Sequence, residues 1–233
     1  MNQIKAIDTS YKGFLFRSRL EARWAVFFDA LGLDWEYEPE GFELPDGTRY
    51  LPDFCVQTPQ GNPIWYEIKP KHVQRDAKHE AFKKYLEDLS IQGHIEFCKA
   101  REEGREPMPA MKDHPPLRTA LLNGDPAHIL GDQGALMCPK CSLISADHIL
   151  DRHEVHCGYC DADPHGDTDY GVMGILVIRW KGYQQLEDEQ TYWNWMRRIF
   201  EAASIARRAR FEHGAQIPQH DSGDVVRMLT RRA

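Results

Sequence analysis

The chain has 233 residues, 42% of them apolar and 28% charged, with a formal net charge of −7 and six cysteines. That is room for one ordinary domain with an appendage, or for two small ones, and the acidic total excludes a uniformly basic nucleic-acid binder. No run reaches the roughly 18 apolar residues of a membrane span, and the opening MNQIKAIDTS has no apolar leader core, so the expected protein is soluble and cytoplasmic, with no membrane contact.

The first predicted element is a helix over Arg19–Leu31. Ser18 is a good N-cap, Leu20, Trp24, Phe27 and Leu31 recur at helical spacing, and Gly32 fits just past the end. Ser18-x-x-Glu21 also reads as a capping box, which gives Glu21 a structural role. Alternation of Trp35 and Tyr37 with acidic residues predicts a strand over 33–38. A short strand over 42–44 and a Pro45-Asp46-Gly47 turn follow.

The stretch YLPDFCVQTPQGNPIWYEIK, 50–69, then predicts a hairpin: aromatic and β-branched runs over 50–56 and 64–69 flank Pro- and Gly-containing turn residues. Strand alternation puts Glu67 and Lys69 on one face, opposite Tyr66 and Ile68, with Asp53 across from them on the partner strand. Two carboxylates suit a hard divalent cation such as Mg²⁺ or Mn²⁺, and a neighbouring lysine can orient or help deprotonate a water. The competing reading is a hairpin edge carrying solvated, protective charges. Pro70 lacks a ladder donor, so the second strand must end there or lie at an edge.

A helix is expected over 74–101, with Ala77, Ala81, Phe82, Tyr85, Leu86 and Leu89 as its apolar stripe and Gly93 as a break. Lys71, His72, Arg75 and Lys78 lie near its start and are candidate phosphate contacts, against the default of a solvated face. A Pro-rich loop precedes a short strand over 117–122, which Asn123-Gly124-Asp125-Pro126 ends.

Cys138-x-x-Cys141 and Cys157-x-x-Cys160 are separated by fifteen residues. This spacing fits two knuckles holding one Zn²⁺ in a closed, structural Cys₄ site, with His148, His153 or His156 as substitute ligands in a Cys₃His variant. Cys55 and Cys98 read as buried small hydrophobes. The apolar run over 171–180 predicts a strand buried on both faces, joining either the main sheet or the ribbon's own. A helix over 187–213 follows, packed through Trp193, Met196, Ile199, Phe200, Ala203 and Ile205. From position 197 onward eight arginines face four acids. Arg197, Arg207 and Arg208 are therefore further phosphate candidates, although a helix dipole also favours cations near its C-terminal end. No phosphate-loop motif and no repeat period occurs.

The order of a helix glutamate, a Pro52-Asp53 strand, a Glu67-Ile68-Lys69 strand and a following helix resembles the PD-(D/E)XK nuclease superfamily. The segment FRSRLEARWAVFFDALGLDWEYEPEGF is similar to a phage and bacterial subset related to the TnsA-type transposon-end nucleases. The resemblance covers roughly positions 11–130. It implies an α/β (α+β), restriction-endonuclease-like core, a mixed sheet flanked by helices, with the ribbon as an insertion. It implies that Asp53, Glu67 and the Ile68 carbonyl bind Mg²⁺, that Lys69 serves the attacking water, and that Glu21 is a further catalytic and metal-site candidate. The expected division is a core over 1–132, a zinc ribbon over 133–170, a strand and arginine-rich helix completing the core over 171–213, and a tail over 214–233. The expected activity is metal-dependent DNA endonuclease. The alternative is an inactive zinc-containing subunit that binds DNA and assembles with a recombinase or transposase. RNA as substrate, homodimer formation, cutting mode and pathway stay open in the sequence, within a bacterial or phage-infected cell.

Overall fold

In the computed structural model the described residues are 7–57, 63–73, 75–104, 118–128, 136–137, 144–145, 168–170, 176–178, 189–212 and 216–217. The fold is mixed α+β, and its main sheet is mixed and flanked by helices.

The chain enters through a hairpin, β1 (Thr9–Tyr11) and β2 (Phe14–Phe16), that the sequence reading did not contain. Its two-residue loop, Lys12-Gly13, has φ of 49° and 85°. Positive φ at both loop positions matches the twist of the flanking strands, and Gly13 adopts it without steric cost.

Helix α1 (Arg19–Leu31) has the predicted bounds. The Ser18 side chain accepts from the Glu21 N–H at its start, and Gly32 closes it with φ of 70°. Trp24, Phe27, Phe28 and Leu31 are each at most 1% exposed. Each such burial contributes about 1.5–3 kcal/mol, so packing outweighs capping in holding α1. Ser18→Ala should nevertheless lower stability by about 1 kcal/mol, read from urea denaturation.

The main sheet has the order β3 (Trp35–Tyr37), β6 (Phe54–Gln57), β7 (Pro63–Lys69), β8 (Arg118–Asn123). β3–β6 and β6–β7 are antiparallel and β7–β8 is parallel. Strand alternation decides which layer each residue meets. Phe54, Val56, Ile64, Tyr66 and Ile68 share one core with α1, whereas Cys55 and Trp65 share another with Leu44, Tyr50, Phe82 and Leu86. Phe82 and Leu86 belong to α2 (Ala77–Glu102), and Tyr50 to a small hairpin of β4 (Phe42–Glu43) and β5 (Arg49–Tyr50). The sheet thus lies between α1 and α2.

Positions 50–56 are not one strand: Tyr50 pairs with Phe42, and the chain breaks across 51–53 before β6 starts at Phe54. Gly93 does not interrupt α2, because an interior glycine costs only about 1 kcal/mol. Cys98 is exposed rather than buried, while Cys55 is buried as expected. β7 ends at Lys69, in agreement with the restriction imposed by Pro70.

A second sheet has the order β10 (Ile144–Ser145), β9 (Leu136–Met137), β12 (Leu176–Ile178), β11 (Thr168–Tyr170). The strand expected to complete the core within 171–213 therefore pairs in this sheet, with Val177 opposite Met137. An apolar run signals burial but does not name the edge it joins. Cys138, Cys141, Cys157 and Cys160 lie outside the described residues, the first pair between β9 and β10 in the chain and the second between β10 and β11. His148, His153 and His156 also lie outside them, as does the tail beyond 217.

Beyond the single turn of α3 (Pro126–His128), helix α4 (Glu189–Arg208) does join the core, through Ile199, Phe200, Ala202, Ala203 and Ala206. It runs antiparallel to α1: Arg198 donates to the Leu31 carbonyl at one end, and Arg19 pairs with Glu212 at 3.1 Å at the other. The side chains of Trp193 and Met196 lie outside the described residues. No helix among the described residues is long and apolar enough to cross a membrane.

Candidate active site

One end of the main sheet gathers the residues that carry chemistry. β6 starts there, β3, β7 and β8 finish there, and α1 and α2 both begin there. The parallel β7–β8 ladder runs out at Lys69 opposite Asn123, and the Gly124 N–H then donates to the Lys69 carbonyl at 2.8 Å. Gly124 has φ of 87°, and a Cβ there would come within 2.5 Å of the His128 ring, so only glycine fits the turn. Its carbonyl accepts from the Trp24 indole at 2.9 Å, fixing α1 to this end of the sheet.

Asp53 sits just before β6 and is 3% exposed. Its Oδ2 accepts from the Ile68 N–H at 2.7 Å, which ties it to the facing strand. A strand residue sends its N–H and C=O to the same edge, so the Ile68 carbonyl faces the Asp53 side of β7. Asp53 Oδ1 accepts from the Arg17 guanidinium at 2.9 Å. Burial raises the Asp53 pKa well above the carboxylate range, and the charges of Glu67 and Glu21 raise it further, against the opposing Ile68 N–H and Arg17. Three acidic groups thus crowd this end of the sheet, and Asp53 bears the cost.

Glu67, 6% exposed, is gripped on both oxygens. Tyr50 donates to Oε2 at 2.8 Å and Lys69 to Oε1 at 2.5 Å. Lys69 also lies 3.5 Å from Asp76, the N-cap of α2. Burial opposes the lysine charge, but the Glu67 hydrogen bond and the charges of Glu67, Asp76 and Asp53 outweigh it and raise the pKa. Lys69 is therefore firmly an ammonium, a donor rather than a base. Burial and the Glu67 charge likewise drive the Tyr50 pKa upward, so the phenol keeps its proton for Glu67.

Glu21 has both oxygens engaged. Oε1 accepts from Ser18 Oγ at 2.7 Å, and Oε2 accepts from Tyr37 at 2.7 Å and from the Arg17 N–H at 3.1 Å. The capping geometry differs from the expected box in that Glu21 accepts from the backbone N–H of Arg17 rather than that of Ser18, which it meets through the hydroxyl. Glu21 reaches Asp53 through its charge. Among the described residues, no three His, Cys, Asp or Glu side chains converge as ligands for one ion. The available donor set is Asp53, Glu67 and the Ile68 carbonyl: hard oxygens from two carboxylates and a backbone group. Mg²⁺ keeps several waters and needs few protein ligands, so this set fits it.

The expected basic contacts divide by position. Lys71, His72, Arg75 and Lys78 are exposed around the turn from β7 into α2, beside Lys69 in the chain. Arg207 is exposed and Arg208 half-buried in the last turn of α4, which the Arg19–Glu212 pair places near the start of α1. Arg197, although exposed, lies near the opposite end of α1, as its neighbour Arg198 caps Leu31. With a rise of about 1.5 Å per residue, α1 separates the two ends by roughly 20 Å.

Arg17, Tyr37, Tyr50 and Asp76 belong to the site but were absent from the sequence reading as functional residues. Only Tyr50 carried a signal, standing at the head of the 50–69 stretch. Arg17 and Tyr37 reach the site through contacts distant in sequence, and Asp76 reaches it as the N-cap of α2. Compared with known proteins, the chain matches no family model, no curated protein and no solved structure.

Proposed function

We propose that the chain is a divalent-metal-dependent endonuclease hydrolysing DNA phosphodiester bonds, with a restriction-endonuclease-like core of the PD-(D/E)XK kind. The observation that carries this reading is the meeting of Asp53, Glu67 and the Lys69 ammonium at one end of the sheet, where Asp53 is repelled by its acidic neighbours. A buried carboxylate pair maintained against such repulsion is better suited to neutralising a cation than to stabilising a fold.

Asp53, Glu67 and the Ile68 carbonyl would hold Mg²⁺ or Mn²⁺. Bound there, the cation supplies Lewis acidity toward a phosphoryl oxygen and lowers the pKa of nearby water. Lys69 donates to the attacking water or to the charge developing on the phosphate. Tyr50 fixes the free rotation of the Glu67 carboxylate, and Glu21 orients Tyr37 and the backbone of Arg17 rather than ligating metal directly. Lys71, Arg75, Arg207 and Arg208 lie on the site end of the molecule and suit contacts to the DNA backbone; Arg197 does not. The four cysteines, by their spacing, suit a structural Zn²⁺ stapling the second sheet.

The test is incubation of supercoiled, linear and branched DNA, and RNA of matched sequence, with Mg²⁺ or Mn²⁺ and with EDTA. Metal-dependent cutting of DNA is expected. Cutting that survives EDTA, or binding without cutting on every substrate, would remove the reading and favour a DNA-binding assembly subunit.

A further inference from the structure

Both carboxylate oxygens of Asp53 are engaged. Oδ2 is committed to the Ile68 N–H, and Oδ1 is covered by the Arg17 guanidinium at 2.9 Å. The Arg17 side chain is 59% exposed while that of Asp53 is 4% exposed, so the arginine lies over the carboxylate at the mouth of the site. The same guanidinium nitrogen pairs with Glu38. Glu38 follows β3 with φ of 45°, a left-handed conformation unusual for glutamate, and its N–H donates to the Asp53 carbonyl at 3.0 Å. Strain of this kind persists where surrounding structure fixes it and clusters at functional sites. Here it places a second carboxylate beside the arginine. The backbone N–H of Arg17 is anchored separately, to Glu21 and Tyr37, so its side chain can swing while its root stays fixed.

We propose that Arg17 is an exchangeable cation for Asp53: it covers Oδ1 in the free protein, is retained by Glu38 when a divalent cation claims that oxygen, and then contacts the substrate phosphate. The proposal rests on the nuclease reading of the site. With its arginine more than half exposed the pair is screened by water, and a guanidinium binds both carboxylate and phosphate through the same donors, so the exchange needs no rearrangement of the backbone. The arginine also guards an acidic cluster against isolation when no metal is bound.

The test measures Mn²⁺ binding to the free protein by electron paramagnetic resonance, alongside DNA cleavage kinetics, for wild type, Arg17→Met, Arg17→Lys and Asp53→Ala. Removing a competitor should tighten Mn²⁺ binding by about three- to tenfold in Arg17→Met. The same variant should raise KM for DNA by about tenfold, and Arg17→Lys should recover part of that loss. An arginine that merely props up Asp53 would instead leave Mn²⁺ binding weaker in Arg17→Met. Weaker or unchanged Mn²⁺ affinity in Arg17→Met overturns the proposal while leaving the nuclease reading intact. Mn²⁺ binding that persists in Asp53→Ala, or is absent from every variant, overturns both.

Discussion

Lys69→Ala should reduce DNA cleavage by roughly 10²–10⁴-fold while the protein remains folded. The loss follows from the state of the side chain. Lys69 is held as an ammonium between Glu67 at 2.5 Å and Asp76 at 3.5 Å, so it contributes a positive charge and donors at a fixed place. Alanine removes both, and a water entering the gap cannot replace the charge. Folding should suffer little. Lys69 lies at the end of β7, its carbonyl still accepts from the Gly124 N–H, and Glu67 keeps its bond from Tyr50. The side chain is 27% exposed, so losing its ion pair should cost on the order of 1 kcal/mol. Thermal denaturation and initial cleavage rates, measured on the same preparation, separate the two effects. Wild-type cleavage by Lys69→Ala would show that the chemistry lies elsewhere.

This division between local and distant contacts also governs what could be read from the chain. Helix α1 was legible to its ends because its signals are local: Ser18 before it, Gly32 after it and aromatic residues at helical spacing between them. The β6–β7 hairpin and the placement of Asp53 near Glu67 and Lys69 were legible because alternation and the short separation of the two segments in the sequence limit which residues can face one another. Arg17 was not, because its partner Asp53 lies 36 positions away and no periodicity links the two. The sheet joined by the strand at 176–178 stayed open in the sequence for the same reason. Its apolar residues signal burial, while the choice between the main sheet and the second sheet depends on which edges the rest of the fold leaves available. The β1–β2 hairpin was missed because Lys12-Gly13 lacks the Asn-Gly or Asp-Gly pair that usually marks such a loop.

Asp53→Asn should abolish metal-dependent cleavage and, without divalent metal, make the protein more stable at neutral and higher pH. Asparagine keeps the size of the side chain and an oxygen for the Ile68 N–H. It removes the charge that burial, Glu67 and Glu21 all disfavour. Because the folded-state pKa of Asp53 is raised above its unfolded value, the native protein holds a proton that the unfolded chain has already released. Wild-type stability therefore falls as pH climbs from about 4 through the raised folded value, and Asp53→Asn lacks this falling limb. Its advantage should be absent below about pH 4 and grow to about 1–3 kcal/mol above neutrality. The Arg17–Asp53 pair opposes this, but with the arginine more than half exposed it contributes only about 0–1 kcal/mol. Saturating Mg²⁺ should reverse the order: at 100 times its dissociation constant a ligand of the native state adds about 2.7 kcal/mol, which wild type gains and Asp53→Asn does not. Thermal denaturation across pH, with Mg²⁺ and with EDTA, tests each part. A metal-free Asp53→Asn protein less stable than wild type above neutrality would mean that the Asp53 charge supports the fold, and that the acidic cluster serves structure before it serves a cation.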